Sequence, residues 1–246
     1  MTEVEIRTFK ETEIQGGSVI AAFPSFGLVS TITASYLISM LESDQICALE
    51  SEAFPPISMV YARKPKFPAR VYSIHGSKVA IFICEVPLPN GTHRAVARSL
   101  LRWSREHKCR QIITLEGLPS ENDDPLDSEP KVWGVGSTDN SRAQLSKRGV
   151  ALLESGVITG VTGILLNEGR WQNYDVTALL AEARPDLPDA HAAVALTKTL
   201  SALLPELKFE LGPLQETSKR LEEYLKRLKG QAKPVVQETP SGAMYR

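Results

Sequence analysis

The sequence predicts an α/β protein in which a largely parallel sheet is covered by helices on both faces. Three observations carry that prediction. Residues 18–23 (SVIAAF), 78–84 (KVAIFIC) and 111–116 (QIITLE) are short apolar runs without polar alternation, the pattern of strands buried on both faces. Each run ends at a turn signal: Pro24-Ser25-Phe26-Gly27, residues 87–91 (PLPNG) and Gly117. Helix-like stretches follow the first two runs, and strands that alternate with helices indicate parallel pairing.

Taken in order, residues 28–41 are apolar all round, with Ser30 as a candidate cap, and read as a buried helix. Residues 55–73 read as shorter antiparallel additions. Residues 92–106 read as a helix whose apolar side is Ala95, Val96, Leu100, Leu101 and Trp103. Residues 121–130 form a polar loop bearing Glu121, Asp123, Asp124, Asp127 and Glu129, and residues 132–135 resume apolar character. Residues 150–167 alternate short apolar runs with Gly156, Gly160 and Gly163. Asp189 is a credible N-cap for a helix over 190–204. Residues 1–212 thus form an α/β core domain.

Pro213 opens a last helix, 213–229. Leu214, Ser218, Leu221, Leu225 and Leu228 repeat at spacings of four and three, a seam of about two heptads. Docking on its own domain and contact with another copy both fit so short a seam, so Leu214, Leu221, Leu225 and Leu228 are candidate oligomer contacts. Residues 230–243 (GQAKPVVQETPSGA) lack the apolar content to fold alone. They make 230–246 a flexible tail ending in Met244-Tyr245-Arg246.

Composition narrows the function. With 246 residues and 42% apolar content, a substantial core is available. A net charge of −1, from 28 basic and 29 acidic residues, gives no electrostatic reason to bind nucleic acid or an anionic membrane. The start, MTEVEIRTFKETE, is too charged for a signal peptide, and no run of about 18 apolar residues exists. Cys47, Cys84 and Cys109 form no Cys-x-x-Cys pair and read as buried thiols of a reducing compartment. A cytoplasmic protein is expected.

The search for chemistry finds little. The turn 23–27 joins a strand to a helix, a place that favours anions, but it lacks both G-x-G-x-x-G and the Walker pattern. His75, His93, His107 and His191 are scattered without metal-ligand spacing, and the acidic loop lacks the calcium-loop order. No G-x-S-x-G elbow occurs, and Cys84 lies inside an apolar strand where thiols are inert. Glu85 and Glu116, at strand C-terminal ends, are the best residues for a hidden site, yet two carboxylates without base or metal define no reaction. No catalytic residue, metal or cofactor is assigned. In the last helix Glu216, Glu222 and Glu223 are interspersed among the lysines and arginines, as on a solvated surface.

Six segments together resemble the proteasome assembly chaperone family in its archaeal-type single-chain form. They are residues 21–38 (AAFPSFGLVSTITASYLI), 54–72 (FPPISMVYARKPKFPARVY), 79–89 (VAIFICEVPLP), 100–119 (LLRWSREHKCRQIITLEGLP), 156–169 (GVITGVTGILLNEG) and 179–189. The resemblance covers about residues 18–228. It implies a nucleoside-phosphorylase-like fold, no enzymatic activity, and binding to α subunits of the 20S proteasome. It also implies that Met244, Tyr245 and Arg246 match the family's C-terminal hydrophobic–Tyr–X motif, whose pocket lies between adjacent α subunits and contains a lysine. The physics agrees: Tyr buries a ring while its hydroxyl hydrogen-bonds, Met fills irregular pockets, and basic groups capture a terminal carboxylate. Residues 230–246 span at most roughly 55–60 Å. A three-residue anchor is weak alone, so several copies on a homo-oligomer would raise avidity. The alternative is a nucleoside- or nucleotide-handling enzyme on the same fold.

Overall fold

The computed structural model describes residues 3–61, 63–120, 129–185 and 187–216. Their strands are β1 (Glu5–Thr8), β2 (Ser18–Ala22), β3 (Ser43–Glu50), β4 (Met59–Tyr61), β5 (Lys64–Lys66), β6 (Ala69–Ile74), β7 (Val79–Cys84), β8 (Gln111–Pro119), β9 (Val132–Gly136), β10 (Ala151–Leu152) and β11 (Asp175–Ala183). The helices are α1 (Val29–Met40), α2 (His93–Glu106), α3 (Asp139–Lys147), α4 (Gly160–Gln172) and α5 (Ala190–Leu203).

Nine strands make one sheet in the order β1-β3-β6-β7-β2-β8-β11-β9-β10, and β4 pairs with β5 as a separate hairpin. The expected largely parallel sheet is corrected here. Parallel pairing joins β7, β2, β8 and β11, and also β9 with β10. The pairs β1–β3, β3–β6, β6–β7 and β11–β9 are antiparallel. The β6–β7 pair is antiparallel because a short turn through Gly76 joins its strands, whereas a parallel neighbour needs a long crossover.

Apolar side chains on both faces of the central strands explain their uninterrupted hydrophobic runs. In β2, Val19 and Ala21 enter one core while Ile20 and Ala22 enter the other. The first core is closed by α2 and α4, through Val96, Leu100, Trp103, Val161 and Leu165. The second is closed by α1, α3 and α5, through Val29, Leu37, Leu145, Leu196 and Leu200. Helices on both faces are therefore as expected.

Local signals fare unevenly. Asp189 caps α5 as expected, accepting from the Ala192 backbone N–H at 3.0 Å. Ser30 caps nothing: it lies inside α1 and donates to the Phe23 carbonyl. The residue before α1 is Leu28, in the left-handed region at φ 49°. Helix α1 is buried on one face only, with Ser35 and Met40 exposed. The antiparallel additions within 55–73 are the β4–β5 hairpin and β6.

After α5 the chain returns across the body. Leu204 and Leu207 join the second core, and the Tyr36 hydroxyl donates to the Glu210 carbonyl. A helical turn then covers residues 212–216.

Candidate functional site

At the C-terminal ends of β2 and β8, a position where open α/β sheets bind ligands, the turn after β2 packs directly on β8. A Cβ at Gly117 would lie 2.1 Å from the Phe26 carbonyl oxygen. Gly27, at φ 61°, is closed in by Asp189 and Ala183, the first only 2.9 Å from such a Cβ. Close packing between elements thus accounts for Gly27 in the candidate phosphate turn and for Gly117 in β8.

The two strand-end carboxylates part company. Glu116 faces α4, where its Oε2 accepts from the Thr162 hydroxyl at 2.8 Å. Burial without a cation pushes its carboxyl up to about 7. Glu85 lies on the opposite face, toward α1. Its carboxylate pairs with the buried Arg70 guanidinium and accepts from the Tyr61 hydroxyl at 2.7 Å. Arg70, 4% exposed, also donates to the Tyr72 hydroxyl at 3.0 Å and to the Phe67 carbonyl at 2.9 Å. Its guanidinium lies 5.4 Å from the Tyr61 ring centre and 5.7 Å from that of Tyr72.

This cluster forms one wall of a groove of about 770 Å³. Helix α1 supplies the opposite wall from Leu28 to Ser39, with Ile32, Tyr36 and Ile38 between them. The β4–β5 hairpin contributes Met59 and Tyr61, and Leu214 reaches in from the far end of the chain. Leu28 and Tyr61 are each 44% exposed. Leu28 and Arg63, the latter at the hairpin turn, hold positive φ angles of 49° and 65°, unfavourable for residues other than Gly, Asn and Asp.

The groove holds a single acidic side chain among its described lining residues. Its one carboxylate is taken by Arg70 and Tyr61. Burial pushes the Cys84 and Cys109 thiols up to about 11, which leaves them protonated at neutral pH. Among the described residues no group of three or more His, Cys, Asp and Glu could hold a metal ion, and no helix is long and apolar enough to cross a membrane.

Of the residues singled out in the sequence, Met244, Tyr245, Arg246, Leu221, Leu225 and Leu228 lie outside the described residues. Leu214 is 2% exposed within its own chain, so intrachain packing already occupies the first position of the leucine seam. Sequence reasoning missed Arg70, Tyr61 and Tyr72. A signal was present: in β6 (ARVYSI) the charge of Arg70 falls in register with Tyr72 and Ile74 on one strand face.

A model of the PAC2 family matches residues 19–229. Among solved structures, PbaA of Pyrococcus furiosus, an archaeal homolog of proteasome-assembly chaperone, matches with a TM-score of 0.80 at 28% identity, covering 93% of this chain and 97% of that one. PbaB of the same organism, an archaeal proteasome activator, matches with a TM-score of 0.78 at 23% identity, covering 93% and 100%. An uncharacterized protein of Methanocaldococcus jannaschii is 23% identical over 216 residues, 88% of this chain and 87% of its own.

Proposed function

The chain belongs to the PAC2 family, and we propose on that footing that it binds α subunits of the 20S proteasome as an ATP-independent assembly chaperone or gate-opening activator. The observation that carries the reading is the likeness to PbaA, 28% identical with a TM-score of 0.80 across nearly the whole of both chains. The absence of a Walker pattern in the sequence sets ATP-driven action aside. The groove described above supports a role in protein contact, because apolar side chains such as Leu28, Ile32 and Met59 line it beside the Arg70–Glu85 pair.

The anchor in this proposal is Met244-Tyr245-Arg246, delivered by residues 230–243 into pockets of the α ring. Tyr245 and Met244 bury apolar area there, and the carboxylate of Arg246 meets a lysine. The body acts as a homo-oligomer that presents several anchors at once. Leu221, Leu225 and Leu228 remain the proposed contact between copies.

Deletion of residues 244–246 tests the anchor. The truncated protein should keep its circular dichroism and sedimentation behaviour and lose about tenfold or more in affinity for isolated α rings. Equal binding by both forms would sink the tail mechanism. Added to assembled 20S particles, the full chain should speed peptide hydrolysis if it is an activator. Added to free α subunits, it should speed ring formation if it is a chaperone.

A further inference from the structure

We propose that the groove beside α1 is the seat of the chain's own C-terminal helix, residues 213–229. Its leucine seam rests on the body in a lone copy and faces another copy only after leaving that seat. The seam's first side chain is already in place: Leu214 lines the groove and is 2% exposed. The stretch that delivers it is fastened to the body. Leu207 and Phe209 pack on the second core, the Tyr36 hydroxyl donates to the Glu210 carbonyl, and the Leu214 backbone lies at the same hydroxyl. The helical turn at 212–216 therefore starts inside the groove.

Helix α1 has the surface that a second helix needs. Leu28, Ile32 and Tyr36 line the groove four residues apart, and Thr31, Ser35 and Ser39 form a parallel row of shorter side chains. A ridge beside a furrow is how one helix receives another. The furrow tolerates cover. The Thr31 and Ser39 hydroxyls donate to the Leu28 and Tyr36 carbonyls of their own helix, so neither loses a partner when water is excluded. From Leu28 to Ser39 the surface is about 16 Å long at helical rise, and Leu225 stands equally far from Leu214 along a helix. Seam and groove are matched in length.

A second copy is the rival occupant. Phe26, Met40, Ile57 and Val60 are exposed and lie close in sequence to lining residues, and such side chains suit a contact between copies. Leu214 favours the chain's own helix. Residues at spacings of seven and four share one helix face, so a helix that turns Leu214 to the body turns Leu221 and Leu225 to it as well. The contact between copies proposed above then requires the helix to leave the groove, and the two seats compete for the same leucines.

The test cross-links the full chain with a short bis-maleimide. Thr31→Cys and Ser35→Cys are each combined with Leu221→Cys. Asn167→Cys with Leu221→Cys is the control, because α4 covers the other face of the sheet. The native cysteines are buried and stay unreacted. In dilute protein with unchanged circular dichroism, the groove pairs should link within one chain at least about fivefold more than the control, since a seated helix raises the local concentration of the two thiols. That yield should fall as concentration drives copies together. Links formed only between chains would overturn the proposal in favour of a second copy. An intrachain yield within about twofold of the control would overturn it outright. Intrachain linking that persists at every concentration would support the groove seat and sink the contact between copies, and a pull-down of α rings judges the proteasome reading separately.

Discussion

Glu85 and Glu116 leave the same edge of the sheet from strands separated only by β2, yet their surroundings are opposite in kind. Glu85 emerges on the α1 face, where β6 runs antiparallel to β7 and brings Arg70 beside it. Glu116 emerges on the α4 face, where the Thr162 hydroxyl donates and no cation pairs with it among the described residues. A carboxylate at a strand end is thus no site in itself. The neighbouring strand's direction decides whether it becomes half of a buried ion pair or a high-pKa acid.

Breaking the ion pair should give the largest effect. Arg70→Met leaves the Glu85 carboxylate without its cation and orphans the acceptors at Tyr72 and Phe67. Removing one partner of a buried pair costs about 3–5 kcal/mol. Because Glu85 keeps some contact with water, a loss of about 3 kcal/mol is expected in urea unfolding. The double variant Arg70→Met/Glu85→Leu should recover most of it. A single-variant loss below about 1 kcal/mol would mean that water already screens the pair.

Glu116 should respond in the opposite direction. Its folded-state pKa is raised from 4.5 to about 7, so the folded state binds the proton more tightly than the unfolded one. Stability therefore falls as pH rises from about 4.5 to about 7, and the full penalty persists above that. Glu116→Gln removes the titration and keeps an oxygen for the Thr162 hydroxyl. It should match the wild type at pH near 4 and exceed it at pH near 8, by about 1–3 kcal/mol. A stability difference that does not change with pH would show that Glu116 is ionised in the folded protein.

How far these differences could be read from sequence depends on the range of the interaction. The strands β2, β7 and β8 were legible because burial on both faces leaves a local mark, an apolar run with no alternation. Asp189 was legible because a cap and its helix are adjacent in sequence. Strand direction was not, since the antiparallel half of the sheet depends on which strand β6 and β3 pair with, and pairing leaves little trace in composition. The groove was illegible for the same reason: its walls come from residues 28–39, 59–72, 83–85 and 214. Ser30 misled because a hydroxyl near a helix start reads as a cap, whereas the helix begins at Val29 after the turn at Gly27 and Leu28, which makes Ser30 its second residue.

Tyr61 provides the finest adjustment of the contrast. Its hydroxyl donates to Glu85 Oε1 at 2.7 Å, and this hydrogen bond, followed by burial, raises the phenol above its ordinary pKa. Charged acceptors make such bonds worth more than neutral ones, but Tyr61 is 44% exposed and water can replace the donor. Tyr61→Phe should therefore cost about 0.5–1 kcal/mol, well below the loss from Arg70→Met. In the Arg70→Met/Glu85→Leu background the cost should vanish, because no carboxylate remains to accept. An absorbance titration of the phenol gives a second reading: Glu85→Gln should move the Tyr61 transition to lower pH, toward the ordinary tyrosine value. If the transition stays where it is, burial rather than the Glu85 hydrogen bond sets it, and the Tyr61 ring belongs with the groove's apolar wall instead of its polar cluster.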